Sequence, residues 1–489
     1  MHMSDTTHTA PARKLNILLI TSEDNGQELS CYGDPHIQTP HLDRLAGQGA
    51  CFENAYVTQS VCSPSRASIL TGLYPHQNGQ IGLSTHTYEM FRDFPNAASL
   101  LKGAGYRTGR MGKLHVNPES AFPFDFVWND PQHISFWHRD VVKTAEVAEQ
   151  FATASDQPFF LMLNYSDCHL PWLRQDCGLP ERPFVPGEVR VPPGVGLDSG
   201  RLREHAANYY SCMRRLDQGI GLVLDMLERR GLADNTLVIY LADHGPQFSR
   251  GKTALYELAT KVPFIVRWPG LPARGMRGGY LVSSIDILPT LLDASGVTPP
   301  APLPGRSLRP LLEQDQPEWR EHLFCEWNTC HPHPPPSLLY PQRSVRDGRY
   351  KLIVTLLPDR PNPVELYYTS HAMIDTGTTQ WEIDHHPDDG VRRIYAAWRQ
   401  PAAVELYDLS TDPWEFKDLA GDAACAAARE RLLAVLADWR EATGDALLQD
   451  DKLHMLVGEN EAVAALAGAH KRPGFHYRYI DYLKPINHE

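Results

Sequence analysis

The sequence predicts an α/β fold in which a mainly parallel sheet is covered by helices on both faces, joined to a smaller α+β unit. Three observations predict it. Apolar runs of strand length alternate with helical stretches along most of the chain, the pattern of an α/β domain. The strand-like runs are continuously apolar rather than alternating, as expected of strands buried on both faces. Acidic residues follow two of these runs directly, at the carboxyl ends where ligands bind in such folds.

Residues 16–20, Asn-Ile-Leu-Leu-Ile, read as a buried parallel strand that runs into Ser22-Glu23-Asp24. A short helix follows, with Thr39 as cap, Pro40 in the first turn, and Gly47 and Gly49 at its close, because Pro suits the first helical position. Residues 96–102 read as helix, 158–164 as strand, 205–230 as a long helix and 236–241 as a strand that ends at Asp243-His244. The Pro-rich stretch 331–336 breaks the texture, which gives a first domain over 14–335. Beyond it, strand-like 350–354 and 404–407, a turn at 410–413 and an Ala/Leu/Arg-rich helix over 423–442 predict an α+β subdomain, 336–447. Residues 448–489 carry Phe475, Tyr477 and Tyr479 and read as a tail that packs on a second subunit, so a homo-oligomer is expected.

At 489 residues the chain exceeds what a single hydrophobic core usually serves, in keeping with two units. Lys and Arg total 46 against 59 Asp and Glu, a net charge of −13. That balance argues against a general nucleic-acid surface or a long polyanion as partner, and favours a small anionic substrate. Nine cysteines, an odd number without CxxC pairs, indicate neither a zinc ribbon nor a disulfide scaffold, and fit a reducing compartment. The apolar run 15–20 is too short for a signal or membrane segment. A cytoplasmic protein without a membrane partner is the expectation.

The chemistry concentrates in Val61-Cys62-Ser63-Pro64-Ser65-Arg66, followed by Ala-Ser-Ile-Leu-Thr71-Gly72. Ser63 as cap, Pro64 in the first turn and Gly72 at the exit place Cys62 just before a helix N-terminus. An anionic centre there is stabilised by free N–H groups and the helix dipole, and Arg66 lies one turn in. By position alone, a cysteine before a helix is more often a packed thiol than a nucleophile.

The same residues resemble the C-x-P-S-R…TG signature of the sulfatase family, the formylglycine-dependent branch of the alkaline phosphatase superfamily. Further matches follow in the family's order: residues 17–24, Gly33 through Thr39 to Leu45, Thr108-Gly109-Arg110-Met111-Gly112-Lys113-Leu114-His115, Leu241-Ala242-Asp243-His244-Gly245, and Glu405-Leu406-Tyr407-Asp408-Leu409 with Asp412-Pro413. Within the family, His76-Gln77-Asn78-Gly79, residues 251–256 and Gln342-Arg343-Ser344-Val345 are most similar to the heparan N-sulfatase branch, the N-sulfoglucosamine sulfohydrolases.

The resemblance implies an alkaline-phosphatase-like large domain and hydrolysis of a sulfate ester or sulfamate, with release of inorganic sulfate. Cys62 would be oxidised to formylglycine by a formylglycine-generating enzyme, a maturation partner. Its hydrate would attack sulfur with one hydroxyl and release the sulfate by collapse of the other. Glu23, Asp24, Asp243 and His244, with the converted Cys62, would hold one divalent metal, calcium or manganese ahead of magnesium or zinc. Lys113 would contact the sulfate and His115 assist proton removal, both reaching one face because they sit two apart on an extended segment. His169 would serve the leaving group, Lys252 hold a sulfuryl oxygen, and Arg66 orient the formylglycine. Asn78 and His86 are expected to line the substrate pocket. Glu23 stands where the family usually has Asp, and His244 where it often has Asn. The Asp-His pair is similar to that of phosphonate monoester hydrolases, which makes a phosphonate monoester or phosphodiester hydrolase the alternative. A silent anion-binding homologue is a third reading, disfavoured because every catalytic side chain is present.

Overall fold

The computed structural model describes residues 14–272, 274–332, 337–370, 374–466, 468–472 and 474–484. Eight strands form one sheet: β1 (Asn16–Ser22), β2 (Ala50–Tyr56), β3 (Arg107–Met111), β4 (Phe126–Trp128), β5 (Phe159–Asn164), β6 (Thr236–Ala242), β7 (Phe264–Arg267) and β8 (Gly275–Ser283). Their order is β4-β3-β5-β1-β6-β7-β2-β8. Every pairing is parallel except those of β7, which runs against both β6 and β2.

Strand β1 is buried along its whole length and lies between β5 and β6, both parallel to it. Its side chains divide between the two faces. Leu18 and Ile20 enter one core with Leu42, Leu45, Val147 and Leu216, while Ile17 and Leu19 enter another with Ile69, Leu70, Leu101 and Leu291. Helices therefore cover both faces, which is why the run carries no polar alternation: each position removes about 1.5–3 kcal/mol worth of apolar side chain from water.

Two predicted caps are corrected. The helix Pro40–Gln48 does start at the proline, but Thr39 makes no side-chain cap; its hydroxyl pairs with Ser30 at 2.7 Å. The free N–H groups of His41 and Leu42 are instead met by Asp217 Oδ1 at 3.1 and 2.8 Å, from the long helix Gly200–Arg229. Ser63 likewise does not cap. The helix Cys62–Thr71 begins at the cysteine itself, with Val61 as its extended N-cap, and Ser63 Oγ turns to accept the Ser84 N–H at 2.9 Å.

A second, antiparallel sheet has the order β12-β11-β10-β9: β9 (Leu323–Trp327), β10 (Gln342–Arg346), β11 (Tyr350–Thr355) and β12 (Val404–Asp408). The helix Ala426–Ala442 packs on it through Leu432, Leu436 and Trp439 against Val345, Leu352 and Leu406. Strand β9 precedes the Pro-rich stretch and β10 follows it, so this sheet takes strands from both sides of residue 335. Residues 333–336 of that stretch lie outside the described residues. Tyr477 stacks on Tyr88 with ring centroids 4.3 Å apart, and the Tyr479 hydroxyl bridges the backbone of Glu89. Tyr477 and Tyr479 thus pack within the chain's own core, while Phe475 and Tyr482 are only partly buried. No helix among the described residues is long and apolar enough to cross a membrane.

Candidate active site

The carboxyl ends of β1 and β6 lie side by side, with Ser22 paired to Ala242, so Glu23-Asp24 and Asp243-His244 leave the sheet together. Asp24 adopts a left-handed backbone with φ of +50°, uncommon for a non-glycine residue. Its N–H donates to Asp243 Oδ1 at 3.1 Å. Gly245 has to be glycine, since a Cβ there would stand 1.9 Å from the Leu258 carbonyl oxygen. That approach lets the Gly245 carbonyl accept from His244 Nδ1 at 2.9 Å and turns Nε2 inward.

Cys62, at the first turn of its buried helix, brings its sulfur 3.3 Å from His244 Nε2 and 4.0 Å from Asp24 Oδ1. Asp24, Cys62, Asp243 and His244 each offer one ligand atom within 4.8 Å of the others, all four buried. Burial works against a charged imidazole, yet Asp243, Asp24 and Cys62 raise His244 to about 9. Such a nest calls for a cation at Nε2. Two carboxylates and an imidazole oriented by a backbone carbonyl suit a divalent metal. Glu23 stands slightly apart. It groups with Asp24, Cys62 and His169, and its two oxygens accept from Lys113 Nζ at 2.5 Å and Asn164 Nδ2 at 2.9 Å.

Cations bracket the sulfur. Lys252 Nζ lies 2.8 Å from Asp24 Oδ2, and Lys113 is paired with Glu23. Burial opposes ionisation of the Cys62 thiol, but the charges of Lys113, Lys252 and His244 outweigh it and hold the thiol well below its ordinary range. In return, Asp24 and Cys62 overcome burial to keep Lys252 charged, and Cys62 and Glu23 do the same for Lys113. Burial, then the Lys113 charge, holds His115 below the usual imidazole value, leaving it neutral and fit to accept a proton. Lys113 and His115 do share a target, but not through an extended strand. Residues 112–116 form a loop in which Gly112 and His115 have φ of +78° and +60°.

Arg66 reaches back as expected, though its partners are side chains and backbone rather than the sulfur. Nε and one terminal nitrogen donate to Asp243 Oδ2 at 3.0 and 2.8 Å, and the guanidinium also meets Asn164 Oδ1 at 2.6 Å and the Lys113 carbonyl at 3.1 Å. It is the strut between Asp243 and the Lys113 loop. His169 donates from Nδ1 to the Leu170 carbonyl at 2.6 Å, which leaves Nε2 for the site. Asn78 and His86 have partners of their own. Asn78 closes its local turn, accepting from Gln80 N and donating to the Leu73 carbonyl. His86 stacks on His331 and His470, with Nδ1 2.9 Å from His470 Nε2. Asn164 and Ser65, whose hydroxyl donates to the Asp243 carbonyl at 2.5 Å, belong to the site and were missed. Asn164 is the polar end of a buried apolar strand, and that was the available signal.

The chain matches the family model "Sulfatase" over residues 15–297 and the model "N-sulphoglucosamine sulphohydrolase, C-terminal" over 248–371. It is 34% identical to human N-sulphoglucosamine sulphohydrolase, over 89% of this chain and 91% of that protein. It is 30% identical to human arylsulfatase A, over 85% of each. Among solved structures, one in complex with its substrate D-glucosamine-2-N,6-O-disulfate aligns with a TM-score of 0.65 at 21% identity, over 88% of this chain and 98% of that one. The phosphonate monoester hydrolase of Agrobacterium radiobacter aligns with a TM-score of 0.67 at 20% identity, over 88% and 96%; at such identities the likeness concerns the fold. With the Cys62 helix, paired strand-end acids and two bracketing lysines inside the matched span, the chain belongs to the sulfatase family, enzymes that hydrolyse sulfuric esters and sulfamates.

Proposed function

We propose that this protein is a formylglycine-dependent sulfatase acting on a small sulfated carbohydrate, an N-sulfoglucosamine-type sulfamate or a sulfate ester. The observation that carries the reading is the setting of Cys62: a helix-start thiol at 1% exposure, bracketed by Lys113 and Lys252 and next to a carboxylate-imidazole cluster. An anion is stabilised there by two cations and by helix N–H groups. Relatedness to human N-sulphoglucosamine sulphohydrolase supports the sulfamate.

Asp24, Asp243 and His244, with Glu23 beside them, would hold a divalent metal, calcium or manganese by the mixture of oxygen and nitrogen donors. When bound, the metal supplies Lewis acidity and neutralises charge on the sulfuryl group. Converted to formylglycine, Cys62 would supply one hydroxyl as the nucleophile and a second to release the sulfate. The other side chains prepare that exchange. Lys113 and Lys252 hold sulfuryl oxygens, neutral His115 takes the proton, His169 Nε2 gives one to the departing atom, and Arg66 fixes Asp243. Exposure rises from zero at Asp24, Asp243 and His244 to part-exposed Lys113, His115 and His169, so the sulfuryl end enters and the sugar stays at the mouth. Nine unpaired cysteines support a reducing compartment, the cytoplasm, and maturation there by a formylglycine-generating enzyme.

The test is co-expression with a formylglycine-generating enzyme, followed by turnover of an aryl sulfate, N-sulfoglucosamine and an aryl phosphonate monoester, with Cys62→Ala as control. Turnover of a sulfur substrate that Cys62→Ala abolishes is expected. Preference for the phosphonate would promote the alternative that His244 suggests, and undiminished activity in Cys62→Ala would overturn the mechanism.

A further inference from the structure

We propose that Phe136 is a positioning residue for leaving-group departure, holding His169 in the orientation from which Nε2 protonates the departing atom; this rests on the role given to His169 above. The Phe136 ring stacks on the His169 imidazole with centroids 4.2 Å apart and planes 15° from parallel. Lys113 Nζ sits 5.3 Å from the centre of the same ring. One aromatic side chain therefore touches both groups that handle the two ends of the breaking bond. Stacked aromatic pairs and cation–π contacts of this kind favour one side-chain rotamer over another.

The backbone that presents Phe136 is tied to the His169 loop by a single buried cation. Arg139, 4% exposed, donates to the carbonyls of Phe136 at 3.3 Å, His169 at 2.6 Å and Pro171 at 2.8 Å, and to Asp167 Oδ1 at 2.6 Å. Asp167 is braced in turn by Arg215. The imidazole is thus fixed at its edge by the Leu170 carbonyl and on its face by Phe136. Phe136 remains 39% exposed, so its ring is placed against His169 rather than buried in the core.

The step it serves balances simply. As a hydroxyl oxygen of the converted Cys62 bonds to sulfur and its proton passes to His115, the bond from sulfur to the leaving atom breaks, its electron pair departs with that atom, and the Nε2 proton of His169 moves onto it. Leaving groups that are weak bases depart without that proton; strongly basic ones do not. Misplacing His169 must therefore cost more as the leaving group becomes more basic, whereas a general loosening of the fold costs all substrates alike.

The matured, metal-loaded enzyme and its Phe136→Ala and Phe136→Tyr variants are compared on aryl sulfates whose phenols have graded acidity. In Phe136→Ala, kcat is expected to fall at least about tenfold for the most basic phenolate and less than about twofold for the least, a steeper dependence on leaving-group basicity. General acids contribute about 10²–10⁴-fold in all. Phe136→Tyr, which retains the stack, restores the shallow dependence. An unchanged slope in Phe136→Ala, with or without a uniform loss, overturns the proposal. Absence of any sulfate turnover in the parent enzyme would instead reject the sulfatase reading beneath it.

Discussion

At the scale of single residues, the site is an arrangement of mutual charge compensation. Asp24 and Glu23 are fully buried carboxylates, and each has its own lysine. Removing one partner of a buried pair costs about 3–5 kcal/mol because the remaining charge is stranded. In Lys252→Met the stem is kept and the charge lost, so two effects are expected together: kcat for an aryl sulfate at least about a hundredfold lower, as when a charge-stabilising donor is lost, and a lower melting temperature. Steady-state turnover and thermal unfolding of the same preparation check both. Retention of full activity would show that Lys252 only neutralises Asp24.

At the scale of elements, helix ends are fixed from far away. The helix Pro40–Gln48 takes its cap from Asp217, 176 residues distant along the chain at His41, so this contact ties the loop after β1 to the long helix behind the sheet. Asp217→Ala is expected to cost about 1 kcal/mol, the usual worth of such a cap, while Asp217→Asn keeps the accepting oxygen and most of the stability. Urea unfolding of the two variants decides it; equal losses would mean that the contact is idle. The nucleophile helix depends on its surroundings in the same way. Ser65 and Arg66 both bind Asp243, so the end of β6 holds the turn that presents Cys62.

At the scale of the whole molecule, three distant segments meet at His86. His331 comes from the connection between the first strands of the small sheet and His470 from the tail, and both stack on it. Burial, then the charges of His331 and Lys471, push His86 down to about 3. In the unfolded chain it takes up a proton as the pH falls through about 6.5; in the folded chain it does not. The unfolded state therefore binds more protons between these values, and stability drops as the pH is lowered. The loss is on the order of 1 kcal/mol by pH 5.5. Melting temperatures at pH 7.0 and 5.5 should show this fall in the parent protein and a smaller one in His86→Phe; parallel falls would refute the assignment.

The residues near one another in sequence were legible without coordinates. The strand read at 16–20, its trailing acids, the helix at Cys62 and the helix read at 96–102 follow from apolar runs and turn chemistry that act over a few residues. The motifs also pointed to the residues that the strand ends bring together around Cys62. Tertiary structure decided what each residue touches. It gave the cap of one helix to Asp217 and bent the Lys113-His115 loop. It placed Glu23 with Lys113 rather than in the tight cluster, spent the tail's aromatics on Tyr88, and began the small sheet at Leu323. Asn164 shows only as the polar end of an apolar run, and Arg139 and Phe136 carry no local signal, because each acts through a partner on another element. Hydrophobic pattern and turn propensity are short-range and written in the sequence, whereas charge pairing and stacking are settled only when the strand ends come together.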